Sequence, residues 1–210
     1  MPAAPTPGTR LYWIALPALA TVLLAATTSK LTTDVAVIPF LWVLPLALYL
    51  LSFIVCFDHP RWYARKIWTG LFTAATAGVT WLLFEGAGSP LWQQLALYAG
   101  GLFAACMLCH GELFRLRPAP RFLTAYYLHI AAGGAIGGLF TALVAPAIFP
   151  DYWEFQLGYW LLAYLVAILA LLRRERAVAV GAGVGLLIAG PLLPLLAIGH
   201  FESGSGGAEA

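Results

Sequence analysis

Residues 35–57 read VAVIPFLWVLPLALYLLSFIVCF, with no charged side chain, and the chain leaves them through Asp58, His59, Pro60 and Arg61. At 1.5 Å of rise per residue such a run is about 34 Å long as a helix, enough to cross a hydrocarbon core roughly 30 Å thick. It contains Pro39 and Pro45. Each removes a backbone donor, so a kink or wide turn is expected, tolerated where neighbouring helices satisfy the freed carbonyls. Outward from this stretch, apolar runs recur at 11–29, 67–84, 90–109, 122–148, 155–172 and 177–199, joined by short loops. The fold expected is all-α, a polytopic transmembrane helical bundle of about seven spans.

The basic residues orient it. Arg10, then Arg61, Arg65 and Lys66, then Arg115, Arg117 and Arg121, then Arg173, Arg174 and Arg176 fall in loops on one side, against Lys30 alone on the other. The positive-inside rule then places the N-terminus in the cytoplasm, and seven spans put the C-terminus outside. Asp34, Glu85, Asp151, Glu154, Glu202 and Glu209 fall on the face that lacks Lys and Arg. The expected location is the bacterial inner (cytoplasmic) membrane, multi-pass. Trp13, Trp62, Trp68, Trp92, Trp153 and Tyr152 lie near span ends and are expected as headgroup anchors.

With 62% hydrophobic and 10% charged residues, against roughly a quarter charged in soluble domains, the composition leaves no room for a soluble domain. The formal charge of +2 is accounted for by orientation signals, so no nucleic-acid partner is expected. The domain reading is a cytoplasmic N-terminal segment at 1–10, a transmembrane domain at 11–199 and a flexible tail at 200–210, rich in Gly and Ser. MPAAPTPGT at the start lacks a basic n-region, and no small-residue cleavage site follows the first span, which is expected to be retained.

Several motifs bear on chemistry. Cys106-Met107-Leu108-Cys109-His110 matches the C-x-x-C-H pattern of covalent haem attachment. It ends a span on the side assigned to the cytoplasm and reads as helix, so haem is not expected. Residues 106 and 109 or 110 share a helical face, with Glu112 near, but a structural zinc needs four ligands and no second Cys/His cluster completes them. Cys56, Cys106 and Cys109 are expected as buried, reduced thiols. The glycine-rich run Val178 to Gly185 lacks the βαβ unit and acidic partner of a nucleotide loop and reads as a small-residue membrane helix. No nucleophile stands beside a base, and no spaced carboxylate pair is evident on one membrane face. No cofactor, metal or catalytic residue is therefore expected.

The candidate polar sites are few. His129 lies inside the fifth span, where an ionisable group usually faces a partner or cavity; a hydrogen bond to backbone or to Tyr126 is the plainer reading. Lys30, Thr32, Thr33 and Asp34 are expected as a polar turn, with Asp34 capping the next helix or pairing with Lys30, and Glu154 at the positive end of the sixth helix. A small external cation site is the other reading of these acids. Gly133, Gly134, Gly137 and Gly138 form two overlapping G-x-x-x-G pairs, a face for close approach of another helix in this chain or a second one. Glu112 is expected to pair with Arg115 at i,i+3, fixing a loop closed by Pro118 and Pro120; docking of an anionic lipid or partner is the alternative.

Several strings together resemble a known family. Thr32-Thr33-Asp34-Val35-Ala36, Pro39 to Leu50, Cys109-His110-Gly111-Glu112-Leu113 with Arg115-Leu116-Arg117-Pro118, Leu123 to Leu128, Gly133 to Gly138 and Val144-Ala145-Pro146 occur in that order. They resemble the membrane region of bacterial fused spermidine synthase-like integral membrane proteins over roughly residues 10 to 160. The resemblance implies a soluble aminopropyltransferase-like domain, which would bind decarboxylated S-adenosylmethionine and a polyamine. This sequence holds neither its glycine-rich cofactor strand nor its acidic pocket, so no enzymatic activity is expected. His110, Glu112, Arg115 and Arg117 are the strongest shared positions.

Two functions follow as expectations. One is a non-enzymatic accessory or scaffold subunit of a larger inner-membrane assembly, respiratory or photosynthetic in type, with the lipid bilayer and other membrane subunits as partners. The other is a small-solute or polyamine-handling carrier that uses His129, Tyr126, Tyr127, Asp34 and Glu154.

Overall fold

The computed structural model describes residues 5–35, 39–85, 89–149, 153–172 and 174–189. Asp151, Tyr152, Arg173 and residues 190–210, including the tail expected at 200–210, lie outside them. The described chain is all-α. Its helices are α1 (Pro7–Lys30), α2 (Val43–Asp58), α3 (Arg65–Glu85), α4 (Leu91–Arg115), α5 (Leu123–Leu139), α6 (Ala145–Ile148), α7 (Trp153–Leu172) and α8 (Arg176–Ala189).

Among the described residues, four helical segments are long and apolar enough to cross a membrane: Pro7–Thr33, Leu91–Arg115, Pro120–Ile148 and Trp153–Leu172. The expected span at 35–57 is shorter than its apolar run. Pro39–Trp42 forms a turn, Phe40 sits at a φ of 65°, and helix begins only at Val43. Pro45 falls in the first turn of α2, where its missing N–H has no intrahelical acceptor to lose. The wide turn expected from the two prolines is thus present.

The polar turn expected of Lys30, Thr32, Thr33 and Asp34 is instead the end of α1 and its continuation as a π-helical turn, Leu31–Val35. Thr32 Oγ1 donates to the Thr28 carbonyl at 2.8 Å and Thr33 Oγ1 to Ser29, so the hydroxyls serve the helix end itself. The N-cap position of the next helix is Trp42, not Asp34, whose side chain lies outside what is described.

α4 is the central element. Of its apolar segment 83% is buried, and it packs on α1, α2 and α3. α1 lies beside it and also meets α5 and α7, while α8 closes against α3 and α7. α5 continues through a π turn, Phe140–Val144, into α6, and this edge helix is only 17% buried.

The glycine face of α5 is consumed within the chain. A Cβ on Gly133 would collide with the Ile14 carbonyl and one on Gly137 with the Ala18 carbonyl, so α5 rides on the backbone of α1 in parallel register. Gly134 and Gly138 flank the contact near Thr21. The reading of these glycines as an interface to another subunit is replaced by this internal one.

Trp13 departs from its expected role as a headgroup anchor. It is fully buried, and its Nε1–H donates to the Leu116 carbonyl at 3.0 Å, which joins the start of α1 to the end of α4. Trp62 and Trp92 are exposed, as interfacial rings are.

Candidate functional site

The last turns of α4 gather contacts from most of the bundle. His110 is buried; its Nδ1 lies 3.0 Å from Ser52 Oγ, which donates its proton to the Tyr49 carbonyl at 2.7 Å. A hydroxyl has one proton, so Nδ1–H is the donor to Ser52 and Nε2 is left as an acceptor. Nε2 is buried without a hydrogen-bond partner. Tyr49 and Phe53 present T-shaped contacts to the ring at 5.0 and 5.1 Å, so the imidazole binds α2 to α4 through both polar and aromatic contacts.

One residue on, Gly111 makes room for another ring. A Cβ there would run into the Tyr63 ring, which lies across α4. Tyr63 Oη donates to Glu112 Oε1 at 2.7 Å. Glu112 Oε1 also lies 2.7 Å from Arg65 Nε, with the two side chains 3% and 0% exposed. Arg65 Nη1 reaches Glu175 Oε2 at 3.0 Å, and Arg115 Nη2 donates to Glu175 Oε1 at 3.1 Å. Two guanidinium and two carboxylate groups therefore alternate in one line, Glu112–Arg65–Glu175–Arg115, and sum to no net charge.

Glu112 therefore pairs with Arg65 and Tyr63, not with Arg115 as expected, and Arg115 turns instead to the α7–α8 junction. The i,i+3 spacing allowed a local pair, but Glu112 points into the bundle while Arg115 stands at its rim. Glu112 and Glu175 are also a pair of carboxylates at one end, contrary to the sequence expectation of none. Asp58, Glu112 and Glu175 are acids at the basic end, which the sorting of acids to the opposite face did not include.

Electrostatics follow from the geometry. Burial first, then the charge and hydrogen bond of Glu112, push the Tyr63 phenol well above its ordinary value; Arg65 and Arg115 oppose this. Tyr63 stays a donor at any physiological pH. For Glu175, partial burial pushes the carboxyl up, but the hydrogen bond and charge of Arg65, and then those of Arg115, outweigh it and hold it below 4.5.

Glu175 is aimed by the backbone. Arg174 has a φ of 56°, with Glu175 N donating to the Ala170 carbonyl at 2.9 Å and Arg174 N to Leu171 at 3.0 Å. This is a Schellman stop with arginine where glycine is usual, and it folds Glu175 back under Arg65.

The remaining candidates are dispersed. His129 Nδ1 bonds the Ala125 carbonyl and its ring stands edge-on to Trp13 at 5.6 Å. Tyr126 is buried on Trp13 at 5.2 Å and its Oη donates to the Leu113 carbonyl at 2.9 Å. Asp34 is 21 residues beyond Trp13 along α1, roughly 30 Å by helical rise. Glu154 lies buried in the first turn of α7, also at the far end. His129 with Tyr126 and Asp34 with Glu154 therefore occupy opposite ends and form no single pocket.

Cys106, Cys109 and His110 lie inside α4, fully enclosed, and Cys56 Sγ is 3.6 Å from Met107 Sδ. Among the described residues no group of three or more His, Cys, Asp or Glu has a metal-binding arrangement.

The fold and this site define an all-α membrane-embedded helical bundle with a charge-neutral latch at its basic end. Comparison with protein-family models, with curated proteins and with solved structures gave no match.

Proposed function

We propose that the chain is a non-enzymatic accessory or scaffold subunit of a larger bacterial inner-membrane assembly, of the respiratory or photosynthetic type. The observation that carries this reading is the edge helix α5–α6. One face of it is fixed to α1, while Leu128, Ile136, Leu139, Leu143 and Ile148 point away from the bundle. Ala131 and Ala135, four residues apart, are exposed on the same outer side. Such a small-xxx-small face admits a further helix at close range. Buried polar groups at the basic end of the bundle are engaged in holding its elements together: Tyr126 on Leu113, His110 on Ser52, Glu112 on Arg65. This use suits a frame.

The test is affinity isolation from native membranes in mild detergent, with a photocrosslinking residue at Ala135. A stoichiometric partner crosslinked through α5 is expected. A protein that migrates alone, with no crosslink from Ala135, removes the proposal.

One observation favours the carrier reading: His110 Nε2 and Glu112 Oε2 are buried without hydrogen-bond partners near the basic end. A solute path there would involve His110 rather than His129. Uptake in reconstituted vesicles that is abolished by His110→Ala and unchanged by His129→Ala would support it; no uptake by the unsubstituted protein would sink it.

A further inference from the structure

A cavity of about 370 Å³ opens beside the end of α4, between the last turn of α2 and the start of α5. Its volume lies in the range of ligand sites, about 300–1,000 Å³. The walls are aromatic and aliphatic: Phe57 from α2, Phe114 from α4, and Leu123, Tyr126 and Tyr127 from α5. Pro118 and Pro120 form a stiff rim in the connecting loop. Among the described residues one charged side chain lines it, Arg117, whose guanidinium carbon lies 4.3 Å over the centroid of Phe114.

Three features bear on what fits. Stacking uses the flat face of a guanidinium and leaves its N–H edge, the part that binds phosphate in a forked pair. Among the described residues no carboxylate pairs with Arg117, whereas Arg65 and Arg115 are both held by Glu175. The cavity also lies at the end of the apolar segments, where exposed Arg61, Lys66, Arg174 and Arg176 share the same end of the bundle. An anionic headgroup beside an apolar chain matches this charge and these walls together.

We infer that the cavity is a binding site for one anionic phospholipid of the adjoining leaflet, with its phosphate on Arg117 and part of an acyl chain against Phe57 and Leu123. This rests on the chain being embedded in a membrane, and it holds with or without a protein partner on α5.

The experiment is native mass spectrometry of the full chain released from detergent, titrated with phosphatidylglycerol or with phosphatidylcholine of the same acyl chains. About tenfold preferential retention of one phosphatidylglycerol is expected. Arg117→Gln should abolish the preference, while Arg61→Gln, in a neighbouring loop, should leave it. Leu123→Trp keeps every charge but fills the cavity, and should also lose the bound lipid; it tests the site if Arg117→Gln does not fold. Equal retention of the two lipids overturns the inference, as does a loss from Arg61→Gln equal to that from Arg117→Gln. Glycerol phosphate or inorganic phosphate displacing the lipid at equal concentration would make this a site for a soluble anion, which also overturns it.

Discussion

Arg65 Nε lies 2.7 Å from Glu112 Oε1, and both side chains are buried. A buried pair is weak testimony to net stability, because desolvating two ions offsets much of their attraction, yet removing one partner strands the other. Glu112→Ala is therefore expected to destabilise the bundle by about 3–5 kcal/mol, and Arg65→Ala by a similar amount. The double variant Arg65→Met with Glu112→Leu should recover most of that loss. Unfolding in detergent across the full double-mutant cycle measures it, and additive losses would show that the two residues act separately.

The pH dependence has a definite sign. The Glu175 carboxyl is held below its ordinary 4.5 by Arg65 and Arg115. A group whose folded value is depressed adds stability above the unfolded value and loses it as pH falls through the folded one. The protein should thus keep the full contribution at pH 7 and lose it progressively below about 4.5. Glu175→Gln should be the less stable form at pH 7, and its melting temperature should converge on that of the parent in acid. A constant gap from pH 7 to the acid limit would contradict the assignment.

Tyr63 and Gly111 form a second testable pair. The ring lies where a Cβ on residue 111 would stand. Gly111→Ala must displace Tyr63 and with it the 2.7 Å bond to Glu112. A loss of about 1–3 kcal/mol is expected from overpacking. Combined with Tyr63→Ala, which vacates the space, the added methyl should cost much less than it does alone. Equal effects in both backgrounds would mean that the ring is not the obstacle.

Apolar run length anticipated a helix in each of the seven runs, although among the described residues only four segments reach membrane-crossing length. Partner choice at the basic end was not legible in the same way. Glu112 had Arg115 three residues away, and spacing rules see neighbours on one helix, whereas Arg65 and Glu175 arrive from 47 and 63 residues away in sequence. One signal was present: Asp58, Glu112 and Glu175 are acids set among the basic loops, where orientation alone calls for none. Trp13 was misplaced for a related reason. The interfacial rule concerns rings that meet lipid, and α1 is enclosed by α4, α5 and α7 at that level.

Arg174 carries backbone strain that substitution can release. Its φ of 56° suits glycine, and a side chain there costs about 1 kcal/mol. Arg174→Gly should raise stability by about 0.5–1 kcal/mol while keeping Glu175 on Arg65. Arg174→Ala retains the Cβ and should bring no such gain. A melting series of the three proteins separates backbone relief from loss of the charge.

The contact of α5 with α1 distinguishes two kinds of glycine on one helix. At Gly137 the obstacle to a Cβ is the Ala18 backbone, which no rotamer change can move, so Gly137→Ala must push the helices apart and loosen the Gly133 contact one turn earlier. The expected loss is above about 3 kcal/mol, in the range of severe core overpacking. At Gly134 the nearest atom is Thr21 Oγ1 at 3.6 Å, an ordinary contact. There the gain in helix propensity from glycine to alanine, about 0.5–1 kcal/mol, should dominate and leave Gly134→Ala neutral or slightly more stable. Unfolding of the two variants in the same detergent decides the matter. Equal effects at the two positions would mean that α5 does not rest on α1 through Gly133 and Gly137, and that its outer face is not the one left open to a partner.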